Sequence, residues 1–258
     1  MFISYKSIKN FILVNSTLLS ISFFEYYLSK SFLLTFISVM FKNYTMINII
    51  DYQLKDKPYI NDKYIEPKEK YYGEFSSYVV MSAIIEATSL KIIRYNTTKE
   101  DNIITDLVTF IPISFLFEII FDFFHYITHS YLHTNKYLYK IIHKKHHKHF
   151  NLKSILTFYH HPLDIIITNT IPLFITIYLM PNISYFQLLI IMTYKTFIEI
   201  SGHSGKKVNP GSFPQFIWLP KLFNMQLFTR NHNLHHTNVN CNYAKRFNLW
   251  DRLFGTNK

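Results

Sequence analysis

Apolar runs at 11–24, 31–50, 75–93, 103–124, 163–180 and 183–200 set the terms on which this chain can fold. A helix rises about 1.5 Å per residue, so a hydrocarbon layer of about 30 Å takes roughly 20 apolar residues to cross. The fold class expected is therefore all-α, an integral-membrane bundle of four to six transmembrane helices, with six expected and four as the minimum. The first run follows Lys6 and Lys9 and leads into Glu25-Tyr26-Tyr27 rather than a small-residue cleavage site, so it reads as a retained anchor. The run at 75–93 contains Glu86, a charge that needs a partner at bilayer depth. The run starting at 103 is expected to continue as one helix to His133, and only Pro181-Asn182 separates the last two runs, the shape of a tight hairpin. The polar stretch 51–72 is expected to be a surface linker.

The net charge of +11 is unevenly placed: residues 1–124 carry 12 Lys/Arg against 13 Asp/Glu, and residues 125–258 carry 15 against 3. Loops rich in Lys and Arg stay on the cytoplasmic side of a membrane, which puts 136–153 and 206–258 there. Five or six apolar spans and the lack of any recognition motif exclude a nucleic-acid-binding class. One cysteine, Cys241, excludes a disulfide framework or a cysteine-rich metal site, so a metal here must be held by nitrogen or oxygen. None of the five glycines is spaced as a nucleotide-binding loop.

All thirteen histidines fall between His125 and His236. His125, His129 and His133 stand four apart, so on a helix they fan across about 80° of one face, with Asp122 inside the arc. His143, His146 and His147 repeat at i, i+3 and i+4, again within roughly 100° on a helix, and His232, His235 and His236 have the same spacing. Neutral imidazole is the commonest nitrogen ligand for iron, copper and zinc. Taken alone, the run 143–149 would be a solvated basic face, and that reading stands for His149. Eight clustered imidazoles exceed the four that one tetrahedral zinc can use, so two metals are implied.

These clusters resemble those of the membrane-bound di-iron oxygenases. The stretches Asp122-x-x-His125-Tyr126-x-x-His129, His161-Pro162-x-Asp164 and His203-Ser204-Gly205 narrow the likeness, as does the tail from Asn240-Cys241-Asn242-Tyr243 to Trp250-Asp251-Arg252-x-x-Gly255-Thr256. Together they are similar to the fatty acid hydroxylase / sterol desaturase superfamily, over about residues 105–256. Ser130, Asn233 and Lys206 depart from its usual residues, and none of the three removes an expected ligand.

The resemblance implies a catalytic domain at 101–258 behind anchor spans and linker at 1–100, with a histidine-rich di-metal cap on the cytoplasmic face of the endoplasmic reticulum membrane. It implies two iron ions, with zinc as a substitute the same imidazoles would accept, and dioxygen as co-substrate. The activity implied is hydroxylation or desaturation of a lipid, a sterol favoured by the third cluster and tail. Electrons would come from cytochrome b5 and an NAD(P)H-dependent reductase, since the chain has no flavin or nicotinamide fingerprint. The implied metal ligands are His129, His133, His143, His146, His147, His203, His232, His235 and His236. Asp122 and Glu199 are the catalytic-site carboxylates expected to partner ligand N–H groups, with Asp164 in the same role. His125 and His160 are expected behind the ligands, and His161 either as a ligand or on the substrate side. The alternative reading is a histidine-rich membrane metal transporter or metal-buffering protein. Transport favours ligands in mid-span, whereas these clusters lie at span ends.

Overall fold

A computed structural model of the chain describes residues 5–61, 72–208 and 214–258; residues 62–71 of the expected linker lie outside the described residues. Each apolar run forms helix: α1 (Tyr5–Leu28), α2 (Phe32–Leu54), α3 (Tyr72–Asn96), α4 (Phe110–Thr134), α5 (Pro162–Leu179) and α6 (Tyr185–Gly202). The described residues contain no strand, only two isolated bridges. Five helices, α1 to α5, are long and apolar enough to cross a membrane.

The sixth expected span is α6, and it differs from the others because it is the centre of the bundle. Leu188, Leu189, Ile190, Ile191 and Tyr194 are buried in one apolar core with Leu18 of α1, Val39 of α2 and Phe117 of α4. A helix enclosed by protein can carry Lys195 and Glu199, since neither side chain meets lipid. The expected hairpin is present, with Ser184 capping α6 by accepting the Gln187 N–H at 3.1 Å. Its two arms nevertheless diverge: α6 packs mainly against α1 and α2, and α5 against α4.

The unbroken helix expected from residue 103 to His133 is interrupted at Thr109, between a short helix Ile103–Val108 and α4. Pro112 accounts for the break, since it has no N–H to give the Val108 carbonyl and its ring crowds that oxygen. Asp106, fully buried, accepts from the Ser184 hydroxyl at 2.6 Å, and Asp101 accepts the Phe186 N–H at 2.9 Å. Two carboxylates at a helix N-terminus complement its dipole.

Glu86 has the partner its depth demands. Lys42 of α2, with no exposed side-chain surface, lies 2.6 Å from Glu86 and 3.0 Å from Glu25 of α1. Removing one member of such a set would leave an uncompensated buried charge. Lipid tails are as apolar as leucine, so helix association here rests on close packing. Ala83 and Ala87 on α3, both fully buried, are residues of the size that lets helices approach.

Candidate metal centre

Four parts of the chain deliver histidines to one end of the bundle. The last turns of α4 carry His129 and His133; the end of α6 carries His203; α7 (Thr229–Thr237) carries His232, His235 and His236. The middle cluster does not sit on the regular helix its spacing suggested. His143 ends a wide turn at Tyr139–His143, and His146 and His147 lie on the tight turn His146–Lys148 that follows. Wide turns of this kind recur at functional sites because they re-aim side chains.

All nine expected ligands fall into two groups. His129, His133, His143, His147 and His235 form one; His146, His203, His232 and His236 form the other, and within each group the ligand atoms lie within 4.8 Å of one another. The neighbours His235 and His236 serve different groups, as a rotation of about 100° per residue on α7 allows.

Hydrogen bonds fix which nitrogen of several rings is free. Nδ1–H donates to the carbonyl of Tyr243 from His129 (2.7 Å), of Cys241 from His235 (2.7 Å) and of Glu199 from His203 (2.9 Å). His143 Nδ1 donates to the Asp164 carboxylate at 2.9 Å. A carbonyl can only accept, so in a neutral ring Nε2 is left as a lone pair. The lone pairs of His129 and His143 Nε2 face one another at 3.0 Å, and the Nε2 atoms of His147 and His232 lie 3.0 Å from those of His143 and His203. His235 and His236 Nε2 are buried with no partner in the protein. Converging unprotonated nitrogens repel unless a cation stands among them, so the donor set fits two metal ions of the nitrogen-loving class.

Burial keeps these rings neutral. It is the largest cause holding His203 and His235 down at about 3, and it lowers His146, His147, His232 and His236 well below the ordinary 6.5, with nearby positive charge adding to the effect. Unfolding restores 6.5, so between about pH 3 and 6.5 the unfolded chain binds more protons than the folded one. Metal-free protein should therefore lose stability as pH falls from 6.5 towards 3 and change little above 6.5. Thermal unfolding of chelator-treated protein at pH 5 and pH 7.5 checks this, and equal midpoints would count against neutral buried imidazoles.

The expected carboxylates divide their work differently from one another. Asp164 is the imidazole partner: besides His143 it meets His160 Nδ1 at 3.1 Å, and the His160 ring stacks on His146 at 4.0 Å. Asp122 instead accepts backbone N–H groups from Lys245, Arg246 and Phe247 at 2.8, 2.9 and 3.0 Å. Glu199 orients His203 through its main-chain carbonyl, while its carboxylate pairs with Lys195, Lys245 and Arg246. Carboxylates behind metal-bound imidazoles are worth about 10- to 100-fold in metal affinity. Asp164→Asn should weaken metal retention by that range, measured by chelator competition, with the helices intact by circular dichroism.

The remaining histidines lie around the two groups. His125 donates from Nδ1 to the Thr168 carbonyl at 2.6 Å. That carbonyl is free because Pro172, four residues on, has no N–H to offer it. His161 caps the start of α5 by accepting the Leu163 N–H, and His149 packs edge-on against Phe75 and Tyr159. Gly205 follows His203 with φ of +66°, and a Cβ there would run into the Leu152 carbonyl, so only glycine suits the turn. Lys206, which departs from the usual residue, donates to the Lys57 carbonyl at 3.0 Å just beyond α2 and lies 3.5 Å above the Tyr59 ring.

Sequence reasoning missed the charges beneath the histidines. Arg246, fully buried, joins Glu118 of α4 (2.8 Å) to Glu199 of α6 (2.5 Å). The signal was available, because Glu118 and Lys195 lie within apolar runs and required partners. Asp251 accepts the N–H groups of Tyr243 and Ala244 at 2.7 and 3.0 Å and the Thr256 hydroxyl at 2.7 Å, so the tail motif is a clasp that holds Tyr243 against His129.

Comparison with known proteins agrees with this geometry. The sequence pattern described as fatty acid hydroxylase matches residues 114–256, more than half of the chain and every residue of both histidine groups. The chain belongs to the fatty acid hydroxylase family. Among its relatives are methylsterol monooxygenase 1 of Rattus norvegicus, 36% identical over 140 residues (54% of this chain, 44% of the relative), and the fatty acid hydroxylase vlmA of Lecanicillium sp, 30% identical over 148 residues (55% and 40%). Sphinganine C4-monooxygenase 1 of Arabidopsis thaliana is 30% identical over 145 residues (54% and 51%). The match thus spans about half or less of each of these relatives. No solved structure matches. As a fatty acid hydroxylase family member with five apolar helices, the chain is an integral membrane protein. The family match begins within α4, so α1 to α3 lie outside it.

Proposed function

We propose that this chain is a membrane-bound di-iron oxygenase that hydroxylates or desaturates a lipid, with a sterol the favoured substrate. The observation that carries the reading is the convergence of nine imidazoles, eight of them buried, into two groups whose ligand nitrogens lie within 4.8 Å of one another. Iron held by those groups would supply the reduction of dioxygen and the removal of hydrogen from an unactivated C–H bond. The chain's own part is to bind and orient: carbonyls and Asp164 hold the imidazoles, and the clasp around Asp251 keeps the end of the chain closed over them. Burial excludes water from the reacting region.

The catalytic unit is residues 101–258, with 1–100 supplying anchor spans. The excess of Lys and Arg after residue 125 supports a cytoplasmic face for the histidines, and an endoplasmic reticulum location follows if cytochrome b5 and an NAD(P)H-dependent reductase supply the electrons. A basic face also suits an acidic electron donor. The test compares lipid extracts, by mass spectrometry, of cells expressing the protein and of cells expressing His146→Ala. A lipid gaining one oxygen or losing two hydrogens only with the parent protein is expected. Unchanged lipids beside stoichiometric bound metal would instead favour a metal-buffering protein, and zinc in place of iron would point to substitution at the same imidazoles.

A further inference from the structure

Lys245 stands where the chain's internal spaces meet. Its backbone N–H is pinned to Asp122, and its side chain is nearly buried. It lines the small void among His129, His143, His146 and His232. It also lines a larger cavity, of about 190 Å³, bordered by His203 and His232.

The charge around it is unevenly shared. Lys245 Nζ lies 3.4 Å from Glu199 Oε1, and that same oxygen already takes Lys195 at 2.8 Å and Arg246 at 2.5 Å. Of the other buried carboxylates close by, Glu118 is engaged by Arg246 and Asp122 by three backbone N–H groups. A buried ammonium holding the longest third of one oxygen is poorly compensated, and a further acceptor beside it would be favourable.

The larger cavity shows what would bring that acceptor. Its wall joins the charged and polar groups around Lys245 to an apolar part made by Ile50, Leu54, Phe197, Ile198, Leu227 and Phe228. Gln53 and Phe197 also line a crevice between α1 and α2 whose other walls include Leu18, Ile21 and Met46. A polar end at the ammonium and an apolar body running towards α1 and α2 match this sequence of linings. The smaller cavity that Lys245 also touches, about 70 Å³, lies among α3, α5 and α6, mixes Glu86, Asn169 and Lys195 with Leu173 and Met192, and is not lined by α1 or α2.

We propose that Lys245 receives the oxygen-bearing end of the lipid, a hydroxyl or carboxylate, and thereby brings a carbon only a few bonds from that oxygen to the histidine groups. The proposal rests on the oxygenase reading and adds the orientation of the substrate: the functionalised end lies inward and the tail lies between α1 and α2.

Binding tests it without turnover. Octadecanol, octadecanoate and octadecane are titrated onto the purified full chain in phosphatidylcholine nanodiscs, with empty nanodiscs subtracted and iron per chain measured alongside. A charged hydrogen bond made on binding is worth about tenfold or more in affinity. The alcohol and the carboxylate should bind at least about tenfold tighter than the alkane. Lys245→Met should abolish that difference, and Lys245→Arg should keep it at unchanged iron content. If Lys245→Met loses its iron, Lys245→Gln decides on the same comparison. A preference that survives removal of the cation, or an alkane that binds as well as the alcohol, would overturn the proposal. An intact preference in a protein that oxidises no lipid would sink only the oxygenase reading.

Discussion

His235→Ala and His236→Ala, adjacent in sequence, are expected to empty different metal positions and to abolish turnover equally. His235 belongs to the five-histidine group and His236 to the four-histidine group, and each Nε2 is buried without a protein partner. Removing His235 leaves His129, His133, His143 and His147 in place; removing His236 leaves only three nitrogens in its group. With one metal ion proposed for each group, both variants should lose about half of the bound metal, with the deeper loss in His236→Ala. Both helical content and membrane insertion should be unchanged, because α7 is short and its remaining contacts stay. Metal analysis by mass spectrometry reads the stoichiometry, and the lipid assay reads turnover. Retained activity in either variant would remove that histidine from the site, and equal occupancy of both positions in both variants would refute the division into two groups.

The residue types of the candidate metal centre were legible because thirteen histidines crowd into His125–His236 at helical spacing while the chain has one cysteine, and nine of them meet in two groups. The local structure was less so. Spacing at i, i+3 and i+4 describes α7 well, yet His143, His146 and His147 reach the site from a wide turn followed by a tight one. Pattern alone cannot separate these, since three- and four-residue offsets bring side chains near one another in several helix types. Hydropathy located α6 but could not show that it is enclosed by protein, because an apolar run reads alike facing lipid or a packed neighbour. Partners across the bundle were illegible for the same reason. Glu86 announced a need for a cation without naming Lys42, and Asp122 announced a buried carboxylate without revealing that its acceptors face a main chain more than a hundred residues away.

That position of Asp122 makes Asp122→Ala the second large expected effect, one that falls on folding before chemistry. The carboxylate satisfies three consecutive backbone N–H groups, two at Oδ1 and one at Oδ2. Each donor left unpaired in a buried site costs about 1–3 kcal/mol, so alanine should cost at least about 3 kcal/mol of stability. The segment so released carries Arg246, which joins Glu118 to Glu199, and lies next to Tyr243, whose carbonyl fixes the His129 tautomer. Iron binding should therefore weaken together with thermal stability, even though Asp122 touches none of the nine ligand nitrogens through the bonds it makes here. Asp122→Asn keeps one carbonyl oxygen and should fall between alanine and the parent in both measurements. A carboxylate acting on substrate protons would behave otherwise: asparagine would lose turnover with its melting temperature and iron content intact. Measuring melting temperature, iron per chain and turnover on the three proteins separates these outcomes, because a structural clamp moves all three in parallel and a proton-transfer group moves only the last.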